Sequence, residues 1–180
     1  MPATPELSRP VRLRQIDARP VQIEANEAER AALADRFALP AVNTLTAEIA
    51  LERDGEKVRA HGTMAAQIHQ TCAVSGEEFP VSLTEDIGLV FLPLSDFALP
   101  AAMPADDEPI EIELERDELD EIEYEGDTID LGEAVAQTLG LAIDPYAEGS
   151  GADAARTEAG LEEAAARGPL ADMLDALKKG

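Results

Sequence analysis

Apolar residues recur at every second position through the middle of the chain. Leu45, Ala47, Ile49 and Leu51 alternate with polar or small residues, and beyond Asp54-Gly55 the alternation resumes at Val58, Ala60 and Met64 and runs through Ala66 and Ile68 to Cys72. A period of two marks a strand with one buried face. Asp-Gly is a pair that a type I′ hairpin turn prefers. With those two residues at the tip, Leu51 pairs with Val58, Ile49 with Ala60, Ala47 with Gly62 and Leu45 with Met64. A one-residue slip would turn one strand's apolar set outward, so the pattern fixes the face. After a connection centred on Ser75-Gly76, a third alternating run contains Val81, Leu83, Ile87, Leu89 and Phe91. Glu85 interrupts its apolar face and is expected at the margin of the sheet. The opposite face of the second strand carries Arg59, His61, Thr63, Gln67, His69 and Thr71.

Two segments follow the helical period instead. Asn26 and Glu29 have the spacing of a capping box, predicting a helix to about Ala38 with Leu33 and Phe37 inward, ended by Pro40. Asp130 and Glu133 repeat that spacing ahead of Leu131, Val135 and Leu139, with Ala134 and Ala142 on the same face. Asp144-Pro145 stops this helix, because a residue before proline avoids helical geometry, and Tyr146 follows on the exit loop. Each helix has a narrow apolar face and needs a sheet to lie on. The expected fold is α+β: an antiparallel meander, open or closing partly into a barrel, covered by two or three helices.

The remaining stretches are less regular. Pro10 to Ile16 alternates weakly and suits an edge strand. Residues 93–108 are rich in Pro and Ala and read as a loop. Ile110, Ile112 and Leu114 alternate with Glu111, Glu113 and Glu115, as in a half-buried strand with a carboxylate outer face, and Ile122 and Tyr124 suit another short strand. Residues 149–168 are rich in Ala, Glu and Gly and read as a flexible linker. Gly168-Pro169 opens a short helix bearing Leu170, Met173, Leu174 and Leu177, with Lys178 and Lys179 at its C-terminal end. The expected organisation is one domain over residues 1–148, the linker 149–168 and the helix 169–180.

A chain of 180 residues suits one such domain, and aromatics at 3% with no Trp make its core aliphatic. One cysteine, Cys72, excludes a disulfide framework and a Cys-rich zinc site. No signal-type apolar segment and no membrane-length apolar run is evident, so the expected location is cytoplasmic, with no membrane contact. Formal net charge is −24, from 38 acids against 14 bases. Residues 106–127 contribute half of it, with 13 acids and only Arg116 as a base. Such a surface repels a phosphate backbone and favours a basic protein partner. Arg9, Arg12, Arg14 and Arg19 form a small basic patch against that background.

Candidate chemistry is sparse. Cys72 lies on the apolar parity of its strand, with nothing adjacent in sequence to mark an activated thiolate, and reads as a small core hydrophobe. His69 has the opposite parity, and His61 lies eight residues away, about 26 Å along a strand. Asp127, Asp130 and Glu133 resemble a metal-binding acid group only in spacing, and helix capping accounts for the latter two. No phosphate-cradling glycine loop, catalytic triad order or Cys-x-x-Cys pair is present. The residues thus predict no enzyme, no metal and no cofactor. The acid strip reads as a docking surface, since charge packed that densely lowers stability through self-repulsion.

Three segments carry a family resemblance: IEANEAERAALADRFALPAVNTLTAEIAL (residues 23–51), HGTMAAQIHQTCAVSGEEFPVSL (residues 61–83) and IDLGEAVAQTLGLAIDPYAEGSGAD (residues 129–153). Over about residues 8–155 the chain resembles the YceD family, the large ribosomal RNA subunit accumulation proteins, in their alphaproteobacterial form. The Asp-Leu-Gly-Glu opening and Asp-Pro-Tyr close of the last segment are its most specific part. Many members carry a second cysteine at the turn after the second long strand, whereas here Ala73-Val74-Ser75 follows Cys72, so a zinc or redox role at that turn does not transfer. The resemblance implies a non-enzymatic ribosome-biogenesis factor supporting accumulation of 23S ribosomal RNA. Set beside the charge, it implies action through a basic ribosomal protein or large-subunit assembly factor, with indirect rRNA association. The expected partner-binding residues are Glu111, Glu113, Glu115, Tyr124, Asp144, Pro145 and Tyr146. Two alternatives remain: direct rRNA binding through Arg9, Arg12, Arg14 and Arg19, and a metal-dependent RNA-processing hydrolase.

Overall fold

Five strands of very unequal length build the main sheet of the computed structural model, which describes residues 6–94 and 120–160. The chain opens with β1 (Pro10–Arg12), a single 3-10 turn (Leu13–Gln15) and β2 (Val21–Glu24), then α1 (Glu27–Arg36). The long meander follows as β3 (Ala41–Asp54), β4 (Lys57–Thr71) and β5 (Glu78–Pro93). After residues 95–119 come β6 (Asp120–Tyr124), β7 (Thr128–Asp130), α2 (Leu131–Ala142) and α3 (Ala152–Glu158). The sheet order is β2-β3-β4-β5-β6, all antiparallel except the β5–β6 pair, while β1 and β7 form a separate two-stranded ribbon. The fold is thus α+β, and its sheet stays open.

The meander matches the alternation in the sequence, with one correction of register. The two-residue loop is Gly55-Glu56, not Asp54-Gly55, because Asp54 pairs with Lys57. Leu51 therefore faces Ala60, Ile49 faces Gly62, Ala47 faces Met64 and Leu45 faces Ala66. The shift is two residues between partners, so every side chain keeps its face. Gly55 has a φ of 65° and is the first loop residue, the glycine position of a type II′ turn. In this register large residues stand opposite small ones, which lets the covering helices approach.

One face of the sheet forms the core, from Ile23 on β2 through Leu45 and Ile49, Met64 and Ile68, to Phe91 on β5. Helix α1 covers it with Leu33 and Ala34, and α2 with Leu131, Ala134, Val135, Ala136 and Leu139. Phe37, expected inward, is half-buried. Glu85 is exposed where β5 has no described neighbour on its outer side, as its position in the alternation predicts. Val90 and Leu92 point to the helix-free face, yet each is only 8% exposed.

The sequence pattern misses several elements. The expected edge strand at 10–16 shrinks to β1 plus the 3-10 turn, and its partner is β7. The four-residue β2 escapes because it is wedged between Pro20 and Asn26. Part of the expected linker is structured, since α3 lies within 149–160. The strand expected at Ile110–Leu114, the loop at 95–108 and the C-terminal helix lie outside the described residues.

Candidate partner-binding surface

The Asp-Leu-Gly-Glu motif is a clamp for the N-terminal segment. Asp130 caps α2 by accepting from the Gly132 and Glu133 backbone N–H groups at 2.9 and 3.3 Å. It also accepts from the Arg9 N–H at 2.8 Å and the Ser8 hydroxyl at 2.6 Å. Leu131 is fully buried, and its N–H donates to the Arg9 carbonyl at 3.2 Å. A Cβ on Gly132 would lie 2.7 Å from the Leu7 carbonyl oxygen, so only glycine lets that backbone pass. Glu133 does not complete the expected capping box. Its carboxylate instead takes a two-pronged bond from Arg36 of α1, at 2.9 and 3.0 Å, and Arg36 also reaches Glu6 at 2.9 Å. The Arg36 guanidinium is held further towards its charged form, chiefly by Glu133 and then by Glu6.

Of the arginines proposed for RNA, Arg9 is already committed. It forms a two-pronged pair with Glu29 at 2.7 and 2.9 Å and donates to the Ser8 and Glu24 carbonyls. That bond raises the Arg9 pKa and lowers that of Glu29. Glu29 completes the predicted capping box with Asn26 as well. Arg12, Arg14 and Arg19 are exposed, with Arg14 at 3.9 Å from Asp127. His61 is exposed and His69 half-buried on the helix-free face.

Of the expected partner-binding residues that are described, Tyr124 and the Asp144-Pro145-Tyr146 turn lie apart. Tyr124 is 7% exposed, and its hydroxyl donates to the Glu56 carbonyl at 2.5 Å, tying β6 to the β3–β4 hairpin. It is a core residue, placed inward by the parity that turns Glu121 and Glu123 outward. The Asp144-Pro145-Tyr146 turn lies at the opposite end, near Gln70. Thirteen residues of β4 separate Lys57 from Gln70, about 43 Å at ~3.3 Å per residue. There the buried Gln70 amide donates to the Asp144 carbonyl at 2.8 Å, and the Asp144 carboxylate accepts from the Tyr146 N–H at 2.8 Å. The turn is thereby held from beneath, with Tyr146 80% exposed. Leu141, on the last turn of α2, is 83% exposed and was not singled out from sequence, where helical periodicity assigns it to the outer face. Glu111, Glu113 and Glu115 lie outside the described residues.

Cys72 differs from its sequence reading. It is 2% exposed, but the adjoining turn points donors at its sulfur, with the Ser75 N–H at 3.3 Å. The Ser75 hydroxyl first, then the backbone N–H groups of Ser75, Gly149 and Val74, draw the thiol pKa down to about 7. Only the three-residue spacing to Ser75 could have signalled this. Among the described residues, no group of three or more His, Cys, Asp or Glu side chains is placed to hold a metal. Asp127, Asp130 and Glu133 are engaged with Arg14, the α2 cap and Arg36 respectively. A cleft of about 220 Å³ opens beside β5, between Glu85, Asp86 and Ile87, the start of β6 at Asp120, and Leu141 and Ala142 of α2.

The described residues thus form an α+β fold with an open five-stranded sheet, a clamped N-terminal segment and an exposed turn at Tyr146. The family model described as "Large ribosomal RNA subunit accumulation protein YceD" matches residues 60–170, more than half of the chain, and the chain belongs to the YceD family. That description ties the family to accumulation of large-subunit ribosomal RNA. No curated protein and no solved structure matches the chain. Among the described residues, no helix is long and apolar enough to cross a membrane.

Proposed function

We propose that this protein is a non-enzymatic, cytoplasmic ribosome-biogenesis factor that supports 23S rRNA accumulation by holding a basic ribosomal protein or large-subunit assembly factor. The observation that carries this reading is the acid density of residues 106–127, within which Glu121 and Glu123 take the outward parity of β6. Carboxylates at that density steer a basic partner into encounter, and contact specificity then needs a few apolar anchors. Tyr146, on its rigidly held turn with Asp144 and Pro145, supplies such an anchor, with Leu141 five residues earlier. The strip Glu111, Glu113 and Glu115 is assigned to the electrostatic part of the contact.

Affinity purification of the full chain at low salt tests this, with protein and RNA in the eluate identified. Recovery of a large-subunit ribosomal protein or precursor particle, weakened at least 10-fold by Glu→Gln at 111, 113 and 115, is the expected result. Recovery of neither overturns it. RNA bound by the purified chain in a gel shift, and released by Arg→Ala at 12, 14 and 19, would instead assign the contact to the arginine patch.

A further inference from the structure

The helices cover one face of the main sheet, and the strand register fixes what the other face presents. Outward positions along β4 include His61, Thr63 and Ala65, each flanked by its partners on β3 and β5. Thr63 stands between Glu48 and Asp86, Ala65 between Thr46 and Thr84, and His61 between Ala50 and Gly88. Glu48 and Asp86 are thus two strand spacings apart, about 10 Å at ~4.8 Å per spacing, with a short threonine between them. Apart from His61, the rows on either side carry only short side chains. Glu48, Thr63, Ala65 and Asp86 are all exposed. We propose that this face holds a Lys- and Arg-rich segment of the partner, laid along β4 with one cation between Glu48 and Asp86.

Charge complementarity selects that occupant. Among the described residues, neither the row of Glu48 and Asp86 nor the two rows beside it contains a Lys or Arg. The next outward positions add Glu24 on β2, Glu52 on β3 and Glu121 on β6, against Arg59 on β4. A phosphate backbone or a second copy of this acidic chain meets repulsion over the same ground. A guanidinium or ammonium group between two carboxylates donates charge-assisted hydrogen bonds to both. The Gln22 side-chain amide donates to the Glu48 carboxylate and so orients that acid. The short residues matter as much as the acids, because they let a polypeptide backbone come close to the sheet. A long side chain at position 65 would hold it off.

The inference rests on the basic partner of the proposed function and adds where that partner's charged segment lies. The acid strip steers the encounter, which sets the association rate, and the sheet face makes the close contacts, which set dissociation.

Binding kinetics of a synthetic peptide of alternating Arg and Ala, measured on the full chain at low salt, test the assignment. Glu48→Gln with Asp86→Asn is expected to raise the dissociation rate at least 10-fold. Glu→Gln at 111, 113 and 115 is expected to slow association and leave dissociation within 2-fold. Ala65→Leu removes no charge, and it is expected to weaken binding at least 10-fold by blocking the approach. Ala28→Leu, at an exposed position of α1 on the other side of the sheet, is the control and leaves binding unchanged. Weakening by the acid pair without weakening by Ala65→Leu would report long-range charge alone and overturn the docking. A peptide that binds yet ignores both face variants overturns it too, while leaving the proposed function standing. A peptide that binds no form of the chain counts against both. Single-stranded RNA bound in the peptide's place, and released by Arg59→Ala, also overturns it.

Discussion

At the scale of single residues, the two capping signals separate what spacing can and cannot tell. Asn26 and Glu29 form the complete reciprocal box, whereas Asp130 caps α2 and Glu133 leaves for Arg36. The spacing is identical. The outcome differs because a tertiary partner, 97 residues away, competes for the second carboxylate. Gly132 is where the clamp is most exposed to test. Gly132→Ala must displace backbone atoms of Leu7 and Arg9, not a flexible side-chain end, so destabilisation of about 2–3 kcal/mol is expected in urea unfolding. Ala38 offers the reverse case. It has a φ of 53° at the end of α1, where Leu39 N–H bonds to the Ala34 carbonyl and Ala38 N–H to that of Asp35. That is a Schellman motif with alanine at the position glycine prefers. Ala38→Gly is expected to stabilise by about 0.5–1 kcal/mol, relief of left-handed strain outweighing the added freedom of the unfolded chain.

Cys72 gives a pH prediction at the same scale. The folded thiol titrates near 7 and the unfolded one near its ordinary 9.0. A depressed pKa favours the thiolate in the folded state, so its contribution is complete above the unfolded value and lost as pH falls through 7. Relative to Cys72→Ala, the unaltered protein is expected to gain stability as pH rises from about 7 to about 9, and to show no such gain below 7. Urea midpoints measured across that range check it. Alkylation of the folded protein should show the same midpoint, moved upward by Ser75→Ala. The sequence hid this because the donors come from a turn and from Gly149, and only folding aims them at one sulfur.

At the scale of elements, periodicity located the meander and the two long helices, and misplaced what periodicity does not encode. The hairpin register shifted by two because apolar and small residues alternate with equal regularity in either pairing. Only the turn geometry at Gly55-Glu56 decides. β6 was legible as a strand in Ile122 and Tyr124, but its parallel pairing was not, since that depends on the path of the intervening chain. The Arg36–Glu133 bridge between α1 and α2 leaves both side chains near 30% exposed, so its coupling is modest. A double-mutant cycle with Arg36→Ala and Glu133→Ala is expected to return about 0.5–1 kcal/mol, declining with added salt. A coupling near zero at low salt would show the two helices to be held by the sheet alone.

At the scale of the whole molecule, the acid excess acts on stability and on binding with opposite signs, and this separates the roles assigned to it. Folding concentrates carboxylates that repel one another, and a net charge of −24 makes that repulsion a whole-chain effect. Screening shortens its reach, because the Debye length falls from about 30 Å at 0.01 M salt to about 10 Å at 0.1 M. Thermal stability is therefore expected to rise over this range, and Glu→Gln at 111, 113 and 115 should reproduce part of the rise at low salt. Attraction to a basic partner is screened by the same ions, so affinity should fall while stability rises. An acid strip that served only solubility would give the first trend without the second. The pair of measurements, unfolding temperature and partner affinity across one salt series, thus tests whether the strip's self-repulsion is tolerated for the sake of a contact.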